Sequence, residues 1–152
     1  MSENLVSCIV PFFNSTETIE ACLESVSKIT HKNFELVLVD DGSTDSSVQK
    51  VEKFLSKFSV NDLPRKLLRL PVNKGVSYAK NTGIKNIKGD FFFFAAADDL
   101  QHPERITIPL KYLLENPDVD IVYFDCNIFR EETGPSISYT RGFPTDMNNG
   151  DL

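Results

Sequence analysis

Hydrophobic and polar positions fall in blocks along this chain. Residues 5–12 (LVSCIVPF) make a short apolar run closed by Pro11, and residues 34–39 (FELVLV) make a second. Runs with no polar face suit strands covered on both sides. Residues 66–70 give a shorter third strand, and the four Phe at 91–94 a fourth. Four adjacent Phe cannot serve one face of an amphipathic helix, so this strand is expected in the middle of a sheet covered by helices. Between the strands the period becomes helical. Ile19, Cys22, Leu23 and Val26 recur at i, i+3, i+4, i+7. Asn14, with Glu17 three residues on, is a capping-box-like start for that helix, which fades near Thr30. Val48, Val51, Leu55 and Phe58 are the stripe of a helix beginning at Asp45 or Ser46. A third helix is predicted over 76–87 with Val76, Ala79, Gly83, Ile84 and Ile87 inward. A mid-helix glycine costs about 1 kcal/mol relative to Ala, so Gly83 implies close packing. Pro103 opens a fourth helix over 104–115, Pro109 kinks or delays it, and Asn116-Pro117-Asp118 stops it.

Residues 119–130 are a long β-rich run, and 131–152 hold two Pro, three Gly and two Asn with no apolar period. Strand and helix thus repeat about four times, the pattern of an α/β Rossmann-like fold with a largely parallel sheet and helices on both faces. The expected organisation is an α/β domain over 1–130 and an irregular tail over 131–152. So long a loop at the end of a compact domain suggests a fragment of a longer protein, or a tail that orders on a partner.

Composition narrows the setting. A chain of 152 residues, 41% hydrophobic and 25% charged, reads as one soluble globular domain. The net charge of −6 argues against a nucleic-acid backbone as partner, but not against a nucleotide reached through a metal ion. Cys8, Cys22 and Cys126 show no metal or disulfide spacing and read as buried thiols of a reducing compartment. The N-terminus has no basic segment and too short an apolar run for a signal peptide or membrane span, so the expected location is cytoplasmic.

The candidate chemistry lies at the strand ends. Strands of a parallel sheet present their carboxyl ends at one edge, where open α/β folds bind ligands. Pro11, Phe13 and Asn14, then Asp40 and Asp41, then Asp98 and Asp99 meet there. An aromatic face can stack on a base, one carboxylate can accept from base or ribose, and another can hold Mg²⁺ or Mn²⁺ against phosphates. Three Ala at 95–97 thin the chain so that a ligand can approach its backbone. No P-loop motif is present, so phosphate charge falls to the metal, aided by Lys74 or Lys80. Each piece has a plainer reading: Phe13 as core, Asp45 as a helix cap rather than a ligand, the lysines as solvated, Asp98 and Asp99 as a solvated turn. Two strand ends with paired Asp and an aromatic turn on a third favour the metal site.

VPFFN at 10–14, VLVDDGSTD at 37–45, NKGVSYAKNTGI at 73–84 and FFFFAAADD at 91–99 resemble successive motifs of family 2 glycosyltransferases of the GT-A fold. The resemblance covers roughly residues 6–106. It implies a nucleotide-sugar donor, commonly a UDP-sugar, at this sheet edge. By that resemblance Pro11, Phe13 and Asn14 frame the base, with Phe where Tyr is commoner. Asp40 and Asp41 form the base-binding region, Asp41 being the uracil contact. Asn73, Gly75, Ala79, Asn81 and Gly83 line the donor pocket, Asp98 sits near ribose or metal, and Asp99 is the metal ligand. Ala96 stands where many members carry a further Asp. The family's catalytic base lies several dozen residues past the metal motif, which puts it beyond Leu152. The resemblance implies inverting, metal-dependent transfer to a saccharide or lipid-linked acceptor. It also implies polysaccharide synthesis and peripheral contact of the full-length protein with the inner membrane face. The competing reading is a nucleotide-binding module or remnant without catalysis. A response-regulator-like phosphotransfer domain would need a lone phosphoacceptor Asp and a Lys at a late strand end, and neither pattern is present.

Overall fold

The computed structural model describes residues 4–57, 64–124, 127–128 and 137–138. They fall into two compact units that divide after Glu115. The first alternates strand and helix as expected: β1 (Val6–Phe12), α1 (Ile19–Ser27), β2 (Phe34–Asp40), α2 (Ser47–Lys57), β3 (Arg65–Arg69), α3 (Val76–Ile84), β4 (Phe91–Phe94) and α4 (Thr107–Glu115). The four strands form one parallel sheet in the order β3-β2-β1-β4.

β1 and β2 are buried along their whole length because they are the central strands. Their side chains alternate between two cores. Val6, Cys8, Val10 and Phe12 join Cys22, Leu23 and Val26 of α1, Val48 and Val51 of α2, and Leu110 of α4. Ile9, Val37 and Val39 face the other way, onto Ala79 of α3. Helices therefore cover both faces. α3 makes its contact through small residues: a Cβ on Gly83 would stand 2.4 Å from Cγ2 of Ile9, so only glycine permits this approach.

Several expectations are corrected. Among the described residues β4 is not a middle strand but the outermost, pairing with β1, and Phe92 is 47% exposed. A strand with one neighbour is covered on fewer sides; Phe92 instead packs edge-to-face on Phe94, with centroids 5.6 Å apart. The first helix starts at Ile19, with Thr18 in the N-cap place but making no side-chain cap hydrogen bond, rather than at Asn14, whose side-chain oxygen accepts from Thr44 instead of capping the helix. α3 ends at Ile84, and Val76 and Ile84 are exposed rather than inward. α4 starts late, at Thr107, which places Pro109 in the first turn, where its missing N–H has least cost. Phe58, in the expected stripe of α2, lies outside the described residues.

At the opposite edge of the sheet from the strand carboxyl ends, the buried Glu35 closes the α3–β4 connection. Its Oε1 accepts from the Ser7 hydroxyl at 2.6 Å and from the backbone N–H groups of Lys88 and Gly89. In the second unit, β5 (Asn127–Ile128) pairs antiparallel with β6 (Ile137–Ser138). Residues 119–124 form no strand, contrary to the β-rich expectation: among the described residues no strand pairs with them, and an unpaired apolar run has no ladder to join. The rest of the expected tail lies outside the described residues. Among the described residues no helix is long and apolar enough to cross a membrane.

Candidate functional site

The carboxyl ends of the parallel strands open into a cleft of about 980 Å³. Pro11, Phe13 and Asn14 line it on one side, Phe94, Ala96, Ala97, Asp98 and Asp99 on another, and Val76 and Lys80 of α3 reach it as well. Five of the expected site residues are thus brought together: Pro11, Phe13, Asn14, Asp98 and Asp99. Asp40, Asp41, Asn73, Gly75 and Asn81 are not on the cleft wall. Ala79 and Gly83 are buried against the sheet.

Asp40 and Asp41 are both buried. Asp40 Oδ1 accepts the Ser43 N–H at 2.9 Å, and Oδ2 lies 3.9 Å from Arg69 Nε. Asp41 accepts the N–H of Lys74 on one oxygen and of Gly75 on the other, each at 2.8 Å. The pair therefore fastens the turn after β2 and the loop before α3. Gly42 joins them at φ 75°, and a Cβ there would stand 2.6 Å from the carbonyl carbon of Val72. Both the left-handed backbone and the close approach demand glycine.

The turn after β1 is tied to the loop after β2. Three successive backbone N–H groups of that turn are accepted by side-chain oxygens 29 to 32 residues away: Asn14 by Ser43 Oγ, Ser15 by Ser47 Oγ and Thr16 by Asp45 Oδ2. Asn14 Oδ1 accepts the N–H of Thr44 at 2.8 Å in return. Asp45 Oδ1 also accepts the Ser47 N–H at the start of α2, so its capping role is real. Partial burial pushes the Asp45 carboxyl up, but the hydrogen bonds from Ser47 and Thr16 outweigh this and hold it down at about 2. The residue types favour such contacts, but only the capping half of this network is local enough to be read from spacing.

The other side of the cleft is built differently. Asp98 and Asp99 are exposed, and among the described residues neither carboxylate has a hydrogen-bond or ion-pair partner. The turn beneath is closed by the Asp99 N–H donating to Ala96 O at 3.1 Å. The buried Cys22 thiol donates to the same carbonyl at 3.2 Å. Burial first, then the charges of Asp99 and Asp98, push this thiol up to about 12, so it stays protonated and is not a nucleophile. The half-buried Arg105 guanidinium sits 5.4 Å from the Phe93 ring centre and is attracted to Asp99, although burial lowers its pKa. Among the described residues no three His, Cys, Asp or Glu side chains converge as a ready metal cage. Two adjacent hard-oxygen donors facing open space nonetheless fit Mg²⁺ or Mn²⁺, which complete their shells with water and substrate phosphate.

The model of the family described as "Glycosyl transferase family 2" matches residues 7–149. The chain belongs to that family. Over 116 residues it is 35% identical to the UDP-Glc:alpha-D-GlcNAc-diphosphoundecaprenol beta-1,3-glucosyltransferase WfgD of Escherichia coli, covering 76% of this chain and 44% of the relative. Among solved structures, S. aureus TarS 1-349 in complex with UDP superposes with a TM-score of 0.66 at 33% identity, over 74% of this chain and 32% of that one. The mannosyltransferase PcManGT of Pyrobaculum calidifontis, in complex with GDP-Man and Mn2+, gives 0.64 at 28% identity, over 71% and 32%. The GT-A architecture expected from the motifs is thereby established. The chain spans less than half the length of the curated relatives it matches.

Proposed function

We propose that this chain is the donor-binding part of a glycosyltransferase that moves a sugar from a nucleoside diphosphate sugar, with uridine as the nucleoside, to an acceptor hydroxyl with inversion. The observation that carries this is the pairing, across one cleft, of an aromatic rim with two unpartnered carboxylates. Pro11, Phe13 and Asn14 frame the base, and Phe13 is 43% exposed, available to stack on a ring. Asp41 completes the base side with Asp40, Asn73 and Gly75. Asp41, buried behind the cleft wall, holds the N–H groups of Lys74 and Gly75 and so fixes the loop beside the base. Lys80, on the cleft wall and over the Phe94 ring at 5.0 Å, brings positive charge towards the diphosphate. Lys74 is held over Tyr78 instead.

Asp99, with Asp98, would hold a divalent cation, which when bound supplies positive charge for the departing diphosphate. In the transfer, the acceptor oxygen forms a bond to the anomeric carbon from the face opposite the diphosphate. The bond to the diphosphate oxygen breaks, and its electron pair leaves with the nucleotide. The acceptor's proton passes to a base that we assign to the length the relatives have and this chain does not, together with the saccharide or lipid-linked acceptor site begun by the region after residue 130. Peripheral membrane contact belongs to the same longer protein. The UDP bound by TarS and the GDP-Man and Mn2+ bound by PcManGT support the donor class and the cation.

Calorimetric titration with UDP, with and without Mn²⁺, tests this reading: metal-dependent binding is expected, and unchanged metal dependence in Asp99→Ala overturns the metal role. The span of less than half the relatives' length favours a second reading, nucleotide binding without catalysis. Release of UDP from UDP-sugars well above background would reject it.

A further inference from the structure

We propose that Asp45 is a positioning residue for the donor site: it locks Thr16 to the first turn of α2 and so sets the rim formed by Phe13 and Asn14. The proposal rests on the donor-binding reading and gives Asp45 a part in it that helix capping alone does not. Thr16 is held at every polar atom. Its N–H donates to Asp45 Oδ2 at 3.1 Å and its hydroxyl to the same oxygen at 2.5 Å, while its carbonyl accepts Lys50 Nζ at 2.8 Å. Two residues earlier, Asn14 is kept at φ 48°. Asparagine reaches that region at modest cost, the hydrogen bonds around it hold it there, and such positions cluster at ligand sites. The surroundings here are the side chains of residues 43–47, with Asp45 the charged member of the set.

A direct contact between Asp45 and ligand is the alternative, since Asp45 lines the cleft. Its oxygens are already committed, Oδ1 to the Ser47 N–H and Oδ2 to the Thr16 N–H and hydroxyl. It therefore acts through the turn. With its carboxyl held down at about 2, the clamp stays ionised across the neutral range.

The test uses the full chain, UDP with Mn²⁺ as the probe, calorimetric affinity and thermal unfolding. Thr16→Val removes the hydroxyl and leaves the Asp45 bond to the start of α2. It is expected to weaken UDP about fivefold at a temperature where the variant remains folded, and Thr16→Ser to restore most of the loss. Asp45→Asn should weaken UDP comparably, and the double variant by less than the product of the two single effects. A lowered melting temperature with unchanged UDP affinity in Thr16→Val would mean a purely structural tie and would overturn the proposal, as would independent effects in the double variant. If Asp45→Asn gives no cooperative melt, the Thr16 pair decides alone. A wild-type chain that does not bind UDP overturns the donor reading itself and this proposal with it. Binding by the wild type with no Thr16 effect overturns the positioning role alone.

Discussion

The two sides of the cleft are built on opposite principles. The side formed by the β1 turn and the loop after β2 is cross-tied: Asn14, Ser15 and Thr16 each donate a backbone N–H to a distant side chain, and Asp41 and Asp45 spend their charge on backbone donors. The side formed by residues 96–99 offers two exposed carboxylates with no such partners among the described residues. A base is a rigid ring whose N–H and C=O groups reward fixed partners, so a pre-formed rim saves ordering cost on binding. Adjacent carboxylates without partners repel each other and leave their lone pairs to a cation. The contrast teaches that carboxylates of like sequence setting, each a pair after an apolar strand, do different work according to what their oxygens already hold.

The largest effect expected is on the open side. Asp99→Asn should weaken Mn²⁺-dependent UDP binding by about 100-fold, on the scale of losing a charged ligand, while changing stability by less than about 0.5 kcal/mol, because no hydrogen bond is lost and the attraction to Arg105 acts at an exposed carboxylate. Calorimetry and denaturant unfolding on the same sample separate the two. A stability loss as large as the affinity loss would show that Asp99 is tied after all and would erase the contrast.

On the tied side the signs reverse. Gly42→Ala forces a Cβ to within 2.6 Å of the Val72 backbone at φ 75°. It should destabilise the fold by at least about 2 kcal/mol, from backbone strain plus overpacking. Urea unfolding measures this, and a change under about 0.5 kcal/mol would mean that the two loops are not held together as described.

How much of this was legible in the sequence follows from the range of the forces involved. β1 and β2 could be read because burial on both faces removes polar positions from the run itself. The same cue put β4 in the middle of the sheet, whereas among the described residues it is outermost, since four Phe report apolar character but not the number of neighbouring strands. The spacing of Asn14 and Glu17 mimics a capping box, yet Asn14 is bonded to Thr44, 30 residues on, a contact no local window contains. Gly83 correctly announced close packing of α3, but its neighbours Val76 and Ile84 are exposed, because small residues bring the helix in along a narrow line. Strand-end Asp pairs were visible at once; that one pair is consumed by backbone and the other left open depends on the 73–75 loop folding back onto β2.

Acid should reveal the tied side next. Asp45 has a folded pKa of about 2, below its ordinary 3.8. A carboxyl with a depressed folded pKa contributes stability that is fully present above its unfolded value and lost as pH falls through its folded one. Stability should therefore drop between about pH 4 and pH 2, by no more than about 1 kcal/mol from this group once solvent screening is allowed for. Asp45→Asn should flatten that part of the pH–stability curve. A variant curve parallel to the wild type across the window would show that the carboxylate is not what the loop depends on.

The smallest effect sharpens the border between the two sides, where α3 supplies Lys80 and the loop before it supplies Lys74. Lys80 lies on the cleft wall over Phe94, and Lys74 stacks over Tyr78 beside the loop that Asp41 holds. Each cation already gains from a ring, so neither is expected to matter much to folding. They differ in what they can reach. An ammonium partly exposed to water adds only a modest attraction to a diphosphate, so Lys80→Ala should weaken UDP about threefold, with the loss shrinking as salt rises. Lys74→Ala should leave UDP affinity unchanged, since its backbone N–H, and not its ammonium, makes the bond to Asp41. Titrations at two salt concentrations decide the matter. Equal losses from both lysines, or a larger loss from Lys74, would place the diphosphate on the tied side of the cleft and would require the two sides to exchange roles.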